Sequence, residues 1–221
     1  MVEPAFALVV QGAKRVVLGQ HVLQYQAGEF LIFTVDLPLM ANIIQASQQQ
    51  PFIGLGITLK PGLISDLLLE SERYDEADNS GLGIMVGHAT DDILEPVVRL
   101  LKLPEDAEDI PILLPAIERE IHWRLIKGPC GHLVRQIGIA DSHIMKIGQA
   151  IRWLRSNYRE SFLVETLARM VGMSVTSFHR HFLEITSYAP LQFQKEIRLQ
   201  EARSQLLQGR EILDKSEAKR S

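Results

Sequence analysis

Residues 163–190 read LVETLARMVGMSVTSFHRHFLEITSYAP, and their spacing decides how the rest of the chain is understood. Leu163, Leu167 and Val171 recur at i, i+4 and i+8, which predicts one apolar face of a short helix. Gly172 breaks that helix, Met173 supplies an apolar turn residue, and Ser174 is a strong N-cap for a second helix. In the second helix Phe178, Phe182 and Ile185 repeat at i, i+4 and i+7 and are expected to face inward. Thr176, Ser177, His179, Arg180 and Leu183 are then turned outward. Two helices joined by a tight glycine turn, the second with hydrogen-bonding side chains near its start, is how a helix-turn-helix is built. An ordinary helical hairpin with a solvated outer face shares the pattern, so the residues beyond it carry weight.

Those residues, 187–207, read SYAPLQFQKEIRLQEARSQLL. They resemble the AraC family of transcription regulators, in which a proline, two residues and an aromatic open a long linker helix. That helix ends in an Arg-Leu pair, two residues, then Ala-Arg. Here the positions are Pro190, Phe193, Arg198, Leu199, Ala202 and Arg203, and the resemblance runs from Ile147 to about Leu207. It implies binding to double-stranded DNA. It also implies that Thr176, His179 and Arg180 face the bases, with Ser177 toward the DNA backbone and Ser174 completing the candidate set. Helical spacing agrees independently, since 176, 179 and 180 are i, i+3 and i+4 on the face opposite Phe178 and Phe182. Arg180 is suited to a bidentate contact with guanine O6 and N7, and Thr176 offers a methyl to thymine. The plain alternative for Arg180 is an ion pair with Glu184 at i+4. His181, flanking Phe178, is expected to pack at the helix edge and is left out of the set.

A chain of 221 residues with 46% hydrophobic content allows two modest domains with cores of their own. Residues 1–140 carry 10 Lys+Arg against 18 Asp+Glu, a balance of −8, and residues 141–221 carry 13 against 9, a balance of +4. These sum to the net −4, and the basic half is the one with the paired helices, where phosphate neutralisation needs positive charge. The single cysteine, Cys130, excludes an internal disulfide and a multi-cysteine zinc site, and reads as a half-buried loop residue. No run approaches 18 uncharged apolar residues and no signal-peptide pattern opens the chain. A soluble, cytoplasmic protein without a membrane partner is expected.

The first half reads as sheet. Residues 6–10, 15–18, 21–25, 29–35, 40–46 and 52–59 are short apolar or alternating runs punctuated by Gly12, Gly19 and Gly28, with a hairpin turn at 18–20. Such spacing suggests a small barrel or jelly roll. The order also resembles an AraC-family branch in which a cupin-like barrel precedes the DNA-binding part. Val10-Gln11-Gly12-Ala13-Lys14-Arg15, Tyr25 to Gly28, and Val35-Asp36-Leu37-Pro38 carry that likeness. Helices are predicted over 63–69, 93–103 and 112–126, with an exposed loop at 70–80 and an acidic linker at 104–111. The faces Ile93, Val97, Leu100, Leu101 and Leu114, Ile117, Ile121, Leu125 serve either packing on the barrel or pairing with a second copy. A further helix is expected over 141–158, with Ile144, Ile147, Ile151 and Leu154 on one stripe. The expected fold is α+β: a cupin-like effector-sensing and dimerisation domain at 1–127, a linker at 128–140, and an all-α helix-turn-helix domain at 141–221.

Catalysis is not expected. His21, His88, His122 and His132 are widely separated and lack the His-x-His pair and carboxylate of a metal-dependent cupin, and His143 lies outside the barrel. Phosphate-loop, Gly-x-Ser-x-Gly and HExxH patterns are absent, so neither a metal nor a cofactor is expected. An apolar barrel interior suits a small effector, with Val17, Phe30 and Ile32 in the strands that line it. The family's DNA-binding part carries two helix-turn-helix units, and residues 208–221 are too few and too polar for the second. Two expectations follow. One is an effector-responsive, dimeric, sequence-specific DNA-binding regulator. The other is a shortened interaction protein that dimerises and interferes with full-length regulators, binding DNA weakly or not at all.

Overall fold

The computed structural model describes residues 3–71 and 81–218, with side chains through Leu206. It is a mixed α/β chain. Seven strands, β1 (Ala5–Gln11), β2 (Ala13–Leu18), β3 (His21–Gln26), β4 (Glu29–Phe33), β5 (Met40–Gln45), β6 (Ile53–Thr58) and β7 (Ile84–His88), alternate with and then give way to helices. The helices are α1 (Pro61–Glu70), α2 (Asp91–Lys102), α3 (Ile110–Lys127), α4 (Gly131–Gly138), α5 (His143–Ser156), α6 (Val164–Met170), α7 (Val175–Thr186) and α8 (Pro190–Ala218).

The expected barrel is not closed. The described strands pair as two antiparallel sheets, one ordered β6-β1-β4-β7 and one ordered β3-β2-β5. Gly12 is the corner at which the chain leaves the first sheet for the second. Its φ is +86°, and a Cβ there would stand 2.4 Å from the Gln45 carbonyl oxygen. Gly28, at φ +84°, turns β3 into β4 at the same corner, and its N–H donates to Val9 O at 3.0 Å. Both ladders therefore bend together, a glycine being the residue that adopts a positive φ without strain. Alternation along each strand predicts strands one at a time, and it does not say which edges meet. Helices fill the open side instead: Ile64, Leu67 and Leu68 of α1, Leu133, Val134 and Ile137 of α4, and Ile144, Ile147 and Ile151 of α5 are all buried. The interior between the sheets is filled too. Phe30 and Ile32 are buried, and the Phe6 and Phe30 rings lie 4.9 Å apart.

Two elements lie where none was expected. β7 pairs along β4 from Glu29↔His88 to Phe33↔Ile84. Its Gly87 is obligatory, because a Cβ there would meet the Phe30 ring at 2.5 Å and Cys130 Sγ at 2.9 Å. The stretch 128–140, expected as a linker, holds α4, which packs on α1, α3 and α5. Cys130 precedes α4 and is buried rather than half-buried, and that burial pushes its thiol pKa up. The expected loop at 70–80 falls at residues 72–80 outside the described residues, and α8 continues as helix to Ala218. Among the described residues no helix is long and apolar enough to cross a membrane, and no group of three or more His, Cys, Asp or Glu could hold a metal ion.

One hydrophobic core runs through both halves, from Phe6 and Phe30 to Phe178, Phe182 and Phe193. Polar ties cross the same boundary. Gly83 N donates to Ile185 O at 2.9 Å, Gly19 N donates to the Tyr188 hydroxyl at 2.9 Å, and Arg155 Nε lies 2.7 Å from the buried carboxylate of Asp36.

Candidate nucleic-acid interface

The outward face of α7 is built from behind. α6 and α7 are joined by Val171–Ser174, with Gly172 at φ +67° and open space around it. Ser174 Oγ accepts from Ser177 N at 3.2 Å, the expected cap, and satisfies one of the N–H groups a helix start leaves unpaired. Phe178, Phe182 and Ile185 are buried as expected, with Phe178 and Phe182 rings 5.4 Å apart. Leu167 and Val171 are buried, but Leu163 is 69% exposed. It stands at the N-cap with an extended backbone, so its side chain leaves the helical stripe that the spacing put it on.

α8 holds the pair from below. Phe193 is buried edge-on against Phe182, with centroids 5.3 Å apart, so the proline-to-aromatic step serves packing. Gln194 donates to Tyr158 O at 3.1 Å and Glu160 O at 2.7 Å, and Arg198 donates to the same two carbonyls. These bonds satisfy the turn between α5 and α6. At the far end of α7 the chain turns on Ser187, at φ 62°, where Thr186 Oγ1 donates to Phe182 O at 2.6 Å.

Thr176, His179 and Arg180 are exposed on one face of α7, Ser174 is exposed at its cap, and Ser177 is half-buried. The structure thus brings the five candidate residues into the first turn and a half of one helix. Leu183, two turns on, is 53% exposed and overlooks a groove against the β2–β3 hairpin, lined also by Gly19, Met40 and Tyr188. Outward spacing alone does not separate these two situations.

Arg180 has a different neighbour from the one expected. Its Nη2 lies 3.0 Å from His181 Nε2, while Glu184 Oε2 lies 3.0 Å from His181 Nδ1. His181, expected at the helix edge, is 5% exposed and stacks on His143 of α5, with ring centroids 3.6 Å apart. Sequence reasoning missed both imidazoles because the two lie 38 positions apart in the chain, and no local spacing joins them.

A separate cavity of about 360 Å³ lies between the sheet and α5. Val35, Leu59, Ile144 and Met145 give it apolar walls, and Lys60 and Arg152 stand at its rim. Lys60 is already paired with Glu118 at 2.6 Å. On the outside of α2 and α3, Val98, Leu101, Ile112 and Leu113 are exposed, while Leu100 and Leu114 pack on the core.

The family model described as the N-terminus of AraC-type transcriptional regulators matches residues 1–133. Among solved structures, the chain is similar to an apo variant of ToxT from Vibrio cholerae strain SCE256 at 9% identity, covering 89% of this chain and 90% of that one, with a TM-score of 0.39. It is also similar to the AraC-like transcriptional activator CuxR at 16% identity, covering 90% of this chain and 66% of that one, with a TM-score of 0.38. No curated protein sequence matches the chain.

Proposed function

This chain belongs to the AraC-type transcriptional regulators, and from that premise we propose that it binds double-stranded DNA in a sequence-specific way through the outer face of α7. The supporting observation is that Thr176, His179 and Arg180 are exposed together on a helix whose opposite side, Phe178 and Phe182, is wholly buried. A reading helix needs that combination: free side chains in front and a rigid seat behind. Arg180 offers guanine its donors, Thr176 its methyl, and Ser174 and Ser177 have hydroxyls near the phosphates. The positive balance of residues 141–221 supplies the sequence-independent part of the affinity.

Binding-site selection from a randomised duplex library tests this. Arg180→Ala should cost about 1–3 kcal/mol on the preferred site and relax discrimination at one base pair. Arg198→Ala should lower stability and leave the selected motif alone, because its guanidinium holds the carbonyls of Tyr158 and Glu160. An unchanged motif for Arg180→Ala removes α7 from the role of sequence reader.

The effector belongs to the same proposal. A small apolar or carbonyl-bearing molecule suits the cavity between Val35, Leu59 and α5. A molecule there touches the sheet and the helix that carries His143, so its binding energy is coupled to the seat of α7. The exposed patch on α2 and α3 favours a homodimer, which doubles the DNA contacts through one linked assembly. It also keeps a second reading open, a chain that pairs through this patch without useful DNA affinity. A gel shift run across salt concentrations separates the two, since only phosphate contact gives a steep salt slope.

A further inference from the structure

We infer that His181 is a positioning residue for base reading: its imidazole, beside Glu184 and backed by His143, fixes the Arg180 guanidinium on the outer face of α7. The inference deepens the proposal that α7 reads sequence, and rests on it. A carboxylate only accepts hydrogen bonds and a guanidinium only donates them. His181 Nε2 accepts from Arg180 at 3.0 Å, while Glu184 Oε2 lies 3.0 Å from Nδ1 outside hydrogen-bond alignment. Because the guanidinium only donates, Nε2 is unprotonated, and the neutral ring carries its proton on Nδ1, on the side of the carboxylate. Arg180 spends one of its five N–H groups on this tether and keeps four for a base edge.

The tether itself is well seated. His181 is 5% exposed, and the His143 ring lies over it at an interplanar angle of 24°. Since His143 opens α5, the position of His181 is set from a second helix as well as its own. A guanidinium held in advance loses less rotamer freedom on meeting DNA than one free in solvent.

The tautomer matters to the tether. Protonation of His181 turns Nε2 from an acceptor into a donor, and a donor repels the guanidinium it held. The tether therefore needs the neutral ring with Nε2 free to accept. The charged groups around the pair are Lys146 of α5, itself paired with Asp141, and Arg180 and Glu184 of α7. Glu196 of α8 lines the same groove as Glu184. Burial lowers the pKa of His143, and His181, Lys146 and Arg180 act the same way against Glu184.

The test uses the full chain and the duplex it selects from a randomised library, with fluorescence anisotropy at one pH and constant ionic strength. The readout is the affinity ratio between that duplex and one altered at the base pair that Arg180→Ala relaxes. The wild type should discriminate roughly tenfold or more. His181→Leu fills the space without an acceptor and should lose the discrimination. His181→Gln carries an acceptor and should keep it. Thermal melts show whether each variant folds, and if His181→Leu does not, the discrimination of His181→Gln decides. The inference is overturned if His181→Leu discriminates like the wild type, or if a folded His181→Gln loses the discrimination. A wild type that selects no motif, or an Arg180→Ala chain with full discrimination, overturns the reading of α7 with it. An intact His181→Leu beside a disabled Arg180→Ala overturns the positioning alone.

Discussion

His122 is fully buried, and its ring stands in for a backbone partner: Lys60 N donates to Nε2 at 3.0 Å and Nδ1 donates to Glu118 O at 2.7 Å. Only the neutral ring can make both bonds. Its pKa is lowered, first by burial and further by Lys60, against the pull of the Glu118 carbonyl and charge. The folded chain thus binds fewer protons here than the unfolded chain, so stability rises with pH. The contribution is complete above the unfolded histidine pKa of about 6.5 and is lost as pH falls below it. Melting temperature should drop between about pH 7.5 and about pH 5.5, and His122→Gln should show a shallower drop, with His143 adding a smaller term of the same sign. Equal slopes for the two chains count against this. In sequence His122 is one of four widely separated histidines in residues 1–140, and no local spacing points to Lys60 N as its partner. His181 and Arg180 were harder to read. The inward stripe Phe178, Phe182, Ile185 and the Ser174 cap follow from local spacing and chemistry, but the partner of Arg180 depends on a ring delivered by another helix.

Among elements, the paired helices α6 and α7 were legible because each carries its own stop and start, Gly172 and Ser174. β7 was not, since Gly87 interrupts its apolar run and the reason for that glycine is the Phe30 ring across the sheet. α4 was not, because eight residues between Gly131 and Gly138 offer barely two turns of periodicity. The faces of α2 and α3 divide in a way that changes how a dimer is tested. Ile93, Val97, Ile117, Ile121 and Leu125 are buried in the chain's own core, and Leu100 and Leu114 pack beside them. A charge at Leu100 or Leu114 would damage the fold as much as any interface. Leu101, 55% exposed, and Ile112, 73% exposed, are free of that burden. Leu101→Glu combined with Ile112→Glu should leave the melting temperature within the small range usual for surface substitutions and shift sedimentation from dimer to monomer. A wild type already monomeric at tens of micromolar ends the idea.

For the whole molecule, the split in charge suggests two separately built halves, while the core runs through both. α4 and α5 pack against one another, α5 lies on α6, α7 and α8, and their buried side chains join the sheet's core without a break. Asp36, with its side chain 6% exposed, is bound to Arg155 across the boundary, and taking away one member of a buried ion pair leaves a charge that is costly to hold. Residues 1–127 alone lack Leu133, Val134, Ile137 and the α5 stripe, so that fragment should not fold by itself. The chain supplies its own reporters, because its two tryptophans lie one on each side, Trp123 on α3 and Trp153 on α5. Trp123→Phe and Trp153→Phe leave one indole each, and urea titration followed by fluorescence should give the same midpoint from either. Asp36→Ala should move both midpoints down together. An effector seated between Val35, Leu59 and α5 should move both up, as a ligand of the folded state must. Two midpoints that separate, with the Trp153 side unfolding first and Asp36→Ala shifting it alone, would mean that the halves fold as independent units. In that case the route from cavity to α7 would have to run through something other than the shared core.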